Sequence, residues 1–293
     1  MISRSTWLHL RIPFSFFLLP IFIFAVSVSP QPSTWKTLLV FFILHFLLYP
    51  ASNGYNSYYD KDEDSIGGLE KPPPVSKELW YVSLILDGIA LLAGIFLGWV
   101  FVAGLFVYGL ISKLYSYDKV RLKKYPILSW ILASFFQGAF TFLMTYQAIN
   151  ALQLEALTDS AVIIPALLST AFLGGSYPMT QVYQHAEDAR RGDMTLSRLL
   201  GIRGTFIFAA VAFQLTSLGF WYYFQTYYEG MYFVWFILCL APGLVHFLVW
   251  TVKVWKDKKF ADFRSTMRLN WLTATGMNLF FIIIGILIHI KGS

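Results

Sequence analysis

Three oxygen-bearing side chains recur at four-residue spacing in the stretch Asn56-x-x-x-Asp60-x-x-x-Asp64, directly after a long apolar run. Four residues turn a helix through about 400°, so a helix continued through this stretch would carry all three on one stripe. Carboxylate and amide oxygens at the end of an apolar helix suit a hard cation such as Mg²⁺, which takes one or two carboxylates and completes its shell with phosphate oxygens and water. A Gly67-Gly68 turn and Lys71-Pro72 follow. A second acidic stretch, Gln181 to Arg198, places Gln181, Gln184, His185 and Asp188 on one helical face, with Glu187 and Asp193 nearby. His185 titrates near neutrality and is a candidate base. A third stretch, Lys113 to Lys124, is basic and aromatic and offers Tyr115, Lys119, Arg121 and Lys123. Neither a nucleophilic triad nor a zinc-ligand spacing is present in the sequence.

The elements that must hold these residues are set by composition. The chain has 293 residues, 57% hydrophobic and only 13% charged, with mean hydropathy +0.60. A soluble domain carries about 25% charged residues, and a disordered chain needs still more. Long apolar runs also exclude a β-barrel, whose strands alternate over short segments. The expected fold class is an all-α polytopic membrane protein. Its nine candidate spans run 12–28, 34–52, 79–97, 99–114, 127–149, 162–179, 205–224, 232–252 and 271–290. The first resembles a signal peptide only superficially. With nine spans, every Lys and Arg except Lys36 and Lys291 falls on one side, which the positive-inside rule makes cytoplasmic together with the N-terminus. The expected location is a bacterial-type inner membrane, with the acidic and basic loops facing the cytoplasm.

Each acidic stretch is followed by two spans and a basic loop. That order suggests one domain, 1–293, made of two parallel four-helix halves and a ninth helix around a central cavity. Asp87, inside the third span, is a lone intramembrane acid. It would be the coupling residue if the chain were a secondary transporter, but acids gathered at helix ends favour an enzyme. His45 and His246 read as packed residues. Tyr58, Tyr59, Tyr146 and Tyr183 are candidates for a cavity wall.

Asn56-x-x-x-Asp60-x-x-x-Asp64 with Lys71-Pro72 resembles the first Asp-rich motif of the UbiA-type membrane prenyltransferases. The run Asp188-x-x-x-Gly192-x-x-Thr195-Leu196 is similar to the end of the family's second motif, and Tyr115-Ser116 with Arg121-Leu122-Lys123 resembles its basic loop. The resemblance implies nine helices around a cavity and transfer of an isoprenyl group from a prenyl diphosphate to a hydrophobic acceptor, aromatic or quinone-precursor. It implies Mg²⁺ as cofactor, held by Asn56, Asp60, Asp64 and Asp188. Asn56, Tyr115, Gln184 and Arg191 would bind substrate, while Lys119, Arg121, Lys123 and His185 would act in catalysis. The partners implied are the two substrates and the lipid bilayer, with no nucleic acid. Three positions depart from the pattern. Ser57 stands where a common form has Asp, and Gln181 and Gln184 stand where the family has earlier aspartates. Weaker metal binding, compensation by Glu187 and Asp193, or an altered chemistry that binds or cyclises the prenyl diphosphate without transferring it would each follow from those departures.

Overall fold

The computed structural model describes residues 2–292, and the side chains of 2–290; Lys291, assigned above to the far side, has its side chain outside that range. Among the described residues the regular structure is all helical, without a strand. Eight helices are long and apolar enough to cross a membrane: Thr34–Asp60, Lys77–Leu97, Trp99–Ser116, Pro126–Asn150, Ser160–Gln181, Leu196–Tyr227, Met231–Lys256 and Phe263–Ile290. A bent pair, Arg4–Phe17 and Leu19–Ser27, meets at 42° and supplies a ninth. In chain order these are spans 1 to 9, the bent pair being span 1. The expected number holds, but most helices run beyond the expected apolar windows. Span 2 reaches Asp60 and span 6 reaches Gln181, which carries the chemistry of the acidic stretches onto helix ends.

Packing divides the side chains by solvent. Phe96 and Trp99, at the turn between spans 3 and 4, are 74% and 76% exposed, in keeping with the aromatic belt at a membrane surface. Inside, one end of the bundle is closed by aromatic rings. Phe24 stacks on Phe281 at 4.2 Å, and Phe220, Phe224, Phe236 and Phe280 pack around them. Phe24 lies more than three helical turns beyond Arg11, so this plug faces away from the acidic loops.

Irregular turns shape the interior, among them a π-helical segment of span 2, Ile43–Leu48. Residues Phe136–Phe140 of span 5 form a π-helical turn, a feature frequent at functional sites. Span 6 crosses it closely, because a Cβ on Gly138 would sit 2.6 Å from Thr170 Cα. The Thr170 hydroxyl accepts the Ala139 N–H at 2.9 Å, satisfying a donor of the irregular turn. At the other end of span 6, Ser160–Ser176 passes into a 3₁₀ segment, Tyr177–Gln181, with Pro178 in its first turn. Pro178 has no N–H to continue the α-helical ladder there.

Candidate active site

The first acidic stretch does not continue as a helix. Span 2 ends at Asp60 because Lys61 takes the left-handed conformation (φ 49°), with its N–H bonded to Ser57 O. The stripe therefore stops after Asn56 and Asp60. The turn after Lys61 swings Asp62 to the cavity and Asp64 out to the surface, where Arg190 pairs with it. Asp64 is 60% exposed and lies away from the other predicted metal ligands. A tight turn then closes at Gly67-Gly68, with reciprocal bonds between Ile66 and Leu69 at 2.9 and 2.8 Å and Gly68 at φ 86°. Only glycine adopts that φ at little cost.

Asn56 donates to Asp60 Oδ2 at 2.7 Å and to Ser116 Oγ at 2.8 Å, which fixes its amide between spans 2 and 4. Asp60 is buried and meets Lys123 Nζ at 2.6 Å, with Arg121 at 3.7 Å. Arg121 is itself a left-handed residue (φ 46°) closing the turn after span 4. Its guanidinium holds both oxygens of Asp193, at 2.8 and 2.9 Å, and Lys123 reaches the same carboxylate at 3.1 Å. A two-fork contact of this kind orients both partners. Burial opposes the charge on Asp193, but Arg121 and Lys123 overcome it and hold the carboxyl below its usual range. Burial likewise opposes the charge on Lys123, and Asp60 and Asp193 push its pKa above the usual lysine value.

The second acidic stretch is a broken helix. After the 3₁₀ turn, a short helix, His185–Arg190, ends at Gly192 (φ 73°), and Asp193 N–H returns to Asp188 O at 2.9 Å. This left-handed cap turns Asp193 back toward the basic loop. Gln181, Gln184 and Asp188 all line the cavity, but the break rotates His185 out of their row. His185 Nε2 instead shares a hydrogen bond with Ser197 Oγ at 2.7 Å, and burial keeps the ring's pKa below the usual histidine value. It is a packed residue of the following helix start rather than part of the cavity wall.

Asp188 accepts the Thr195 hydroxyl at 3.2 Å and belongs to no ion pair among the described residues. Burial is the main cause that pushes its carboxyl up to about 7, with Asp193 adding to it and Lys123 opposing. Asp62 is pushed up to about 6, first by burial and then by Asp60. Arg191 lies 3.6 Å from Asp62 and 3.4 Å from Glu187, and it donates to Tyr59 O, so it ties the two acidic stretches together. Lys119 is exposed in the turn after span 4, outside the cavity. The Tyr115 and Tyr177 hydroxyls share a hydrogen bond in the cavity wall. Asp87 forms an ion pair with Lys113 between spans 3 and 4, away from the cavity.

A cavity of about 230 Å³ lies among spans 1, 2, 4, 5 and 6. Asn56, Asp60, Asp62, Lys123, Gln181, Gln184 and Asp188 all border it. The sequence reading missed Asp62, which is off the four-residue stripe, and Arg11, which it took only as a topology signal. Arg11 is buried and donates to Gly67 O and Asn53 O, each at 3.2 Å. The arginine thus anchors the Gly-Gly turn over the cavity. The pattern Arg-x-Pro at the start of an apolar run could have flagged it. Among the described residues no three His, Cys, Asp or Glu side chains converge into a ready metal cage. The donors are oxygens, two of the carboxylates are short of compensating charge, and the buried Gln181 Oε1 has no hydrogen-bond partner. Such a set fits a hard cation that brings further oxygen ligands with its substrate.

The chain belongs to the UbiA prenyltransferase family, whose pattern matches residues 17–273. Its fold is similar to that of a UbiA homolog from Aeropyrum pernix K1, with TM-score 0.71 and 15% identity, covering 95% of this chain and 98% of that one. A UbiA homolog from Archaeoglobus fulgidus bound to DMAPP and Mg²⁺ matches with TM-score 0.67 and 17% identity, over 98% and 99% of the two chains. A digeranylgeranylglyceryl phosphate synthase matches with TM-score 0.61 and 19% identity, over 97% and 98%. No curated protein sequence matches the chain. The fold and family make it an integral, multi-pass membrane protein.

Proposed function

We propose that this protein is a Mg²⁺-assisted prenyltransferase that moves an isoprenyl group from a prenyl diphosphate to a hydrophobic, electron-rich acceptor. The observation that carries the reading is the convergence of three loops on one cavity. The first brings Asn56, Asp60 and Asp62, the second Lys123 with Arg121 behind it, and the third Gln181, Gln184 and Asp188. The related structure from A. fulgidus holds DMAPP and Mg²⁺ on the same fold.

Asp60, Asp62 and Asp188, with the carbonyls of Asn56 and Gln181, would hold Mg²⁺, Asp62 taking the place that sequence spacing gave to Asp64. When bound, the metal supplies positive charge to the diphosphate as its bond to carbon breaks. The chain's own cations do the rest. Lys123 and Arg121 stand beside the carboxylates, fixed by Asp60 and Asp193, and stabilise negative charge that grows on the leaving group. Their positions are set before substrate arrives, so little reorganisation is needed at the moment of ionisation. Tyr115 and Tyr177 line the cavity, where their ring faces would stabilise an allylic carbon that becomes cationic. Once the C–O bond has broken, with its electron pair on pyrophosphate, the acceptor's electrons form the new bond to the allylic carbon, the acceptor loses a proton, and the two products leave. The closed aromatic end of the bundle shields that cation from water. The site would face the cytoplasm, in keeping with the basic residues around it.

The test is pyrophosphate release by purified protein in nanodiscs, with Mg²⁺, geranyl diphosphate and a panel of acceptors, read together with product mass. Mg²⁺-dependent release and a product heavier by one isoprenyl group support the proposal. Release without a prenylated product would instead support the cyclising or hydrolytic variant of the fold.

A further inference from the structure

Away from the cavity, exposed cations gather where span 8 ends and span 9 begins. Lys253, Lys256, Lys258, Lys259 and Arg268 are all exposed there, and exposed Arg203 joins them from the start of span 7. The cations of the cavity region, Arg121, Lys123 and Arg191, are each held by carboxylates. The outer six belong to no ion pair among the described residues, and only their neighbour Arg264 does, with Glu70 at 2.9 Å. The two acids in the same stretch are turned to the backbone. Asp257 accepts the Lys259 N–H at 3.0 Å, and Asp262 accepts the Ser265 N–H at 2.7 Å. The stretch is also firmly seated. Buried Trp250 donates to Phe260 O at 2.5 Å, His246 Nε2 donates to Ser265 O at 3.0 Å, and Arg203 donates to Trp255 O at 2.7 Å.

Apolar side chains lie directly beneath the charges. Val249 stands four residues before Lys253 and Val252 four before Lys256, so each is one turn deeper on the same face of span 8. Ile207 stands in the same relation to Arg203 on span 7. All three are exposed, and so are the rings of Trp255 and Phe260 beside the lysines, as is usual for aromatic residues at a membrane surface.

From this layering we infer that the ends of spans 7, 8 and 9 form a binding surface for an anionic phospholipid. Its phosphate meets the lysines, and its acyl chains lie along Val249, Val252 and Ile207. Clustered cations beside a bilayer draw acidic headgroups. The apolar half of the surface narrows the choice, because free phosphate or an acidic protein segment would leave it uncovered. A zwitterionic phospholipid covers it but brings a cation of its own to the lysines. Lipid binding here stands apart from the transfer reaction, since none of these side chains borders the cavity.

The experiment is equilibrium binding of tail-labelled phosphatidylglycerol to the full-length protein in a neutral detergent. Unlabelled phosphatidylglycerol, phosphatidylcholine and inorganic phosphate are the competitors. Phosphatidylglycerol is expected to compete at least about tenfold better than phosphatidylcholine, and inorganic phosphate at the same concentration is expected not to displace the probe. Each lysine contributes about fivefold, so the triple variant Lys256→Gln, Lys258→Gln, Lys259→Gln should bind about 10²-fold more weakly at an unchanged thermal midpoint. Lys258→Gln alone, weaker by about fivefold, gives a second reading should the triple variant fail to fold. Arginine at the same three positions should restore binding, because charge and not shape is read. Lys119→Gln with Lys124→Gln, exposed cations of another loop, should change binding by no more than about twofold. Equal competition by phosphatidylcholine, displacement by inorganic phosphate, unchanged binding by the glutamine variants, or an equal loss in the Lys119 and Lys124 double variant would overturn the assignment.

Discussion

The two acidic stretches have similar charge and opposite local architecture. The first ends its helix abruptly. Lys61 flips to the left-handed region one residue after Asp60, so neighbouring aspartates part company: Asp60 and Asp62 face the cavity, and Asp64 faces outward to Arg190. The second unwinds gradually through a 3₁₀ turn and a short capped helix, so Gln181, Gln184 and Asp188 stay on the cavity while Asp193 is folded back against Arg121. The difference sorts the carboxylates by partner. Asp193 and Asp60 are gripped by Arg121 and Lys123 and keep those cations in place. Asp62 and Asp188 are half-buried with too little opposing charge, which shows in carboxyls raised to about 6 and about 7. A ligand cation adds most where the protein's own compensation is least.

The largest effect that separates these roles falls on the cavity carboxylates. Asp60→Asn or Asp188→Asn is expected to lower turnover by about 10³-fold, while Asp64→Asn changes it by no more than about twofold. Steady-state pyrophosphate release measures both, and a loss at Asp64 equal to that at Asp60 would break the distinction between the inward and outward acids. Next come the cations. Lys123→Met is expected to cost about 10²-fold in kcat. It should also lower the thermal midpoint, because Asp60 and Asp193 lose a buried partner. Lys119→Met, exposed in the same loop, should leave both quantities unchanged. A smaller effect sharpens the contrast between the two stretches. Gln184→Asp adds charge to the stretch that carries amides, and it should lower the half-saturating Mg²⁺ concentration by about tenfold, in line with the affinity changes that single groups around a metal produce. The smallest belongs to His185. His185→Ala removes one neutral hydrogen bond to Ser197, and it should destabilise the protein by about 1 kcal/mol with kcat within about twofold of wild type.

Much of this arrangement is readable from the sequence. Nine apolar runs and the membership suggested by Asn56, Asp60 and the Arg121-Leu-Lys123 loop agree with the fold and the family. The differences in placement are local and share a cause. Four-residue spacing implies a common face only while a helix lasts, and both helices stop inside the motif. Asp64 and His185 fell on the wrong side of a break that no residue type announces, since Lys61 adopts a left-handed conformation that sequence reserves for glycine or asparagine. Asp62 was invisible for the same reason, because it reaches the cavity only after the helix has ended. Lys119 differs from Arg121 and Lys123 by its place in a turn, not by its chemistry.

The most direct test of the central claim is equilibrium binding of geranyl diphosphate to the protein with Mg²⁺ and with EDTA, for wild type and Asp188→Asn of equal thermal midpoint. The account predicts tight binding that requires Mg²⁺ and is lost in the variant. Binding of equal strength in EDTA, or unchanged binding by Asp188→Asn, would contradict it.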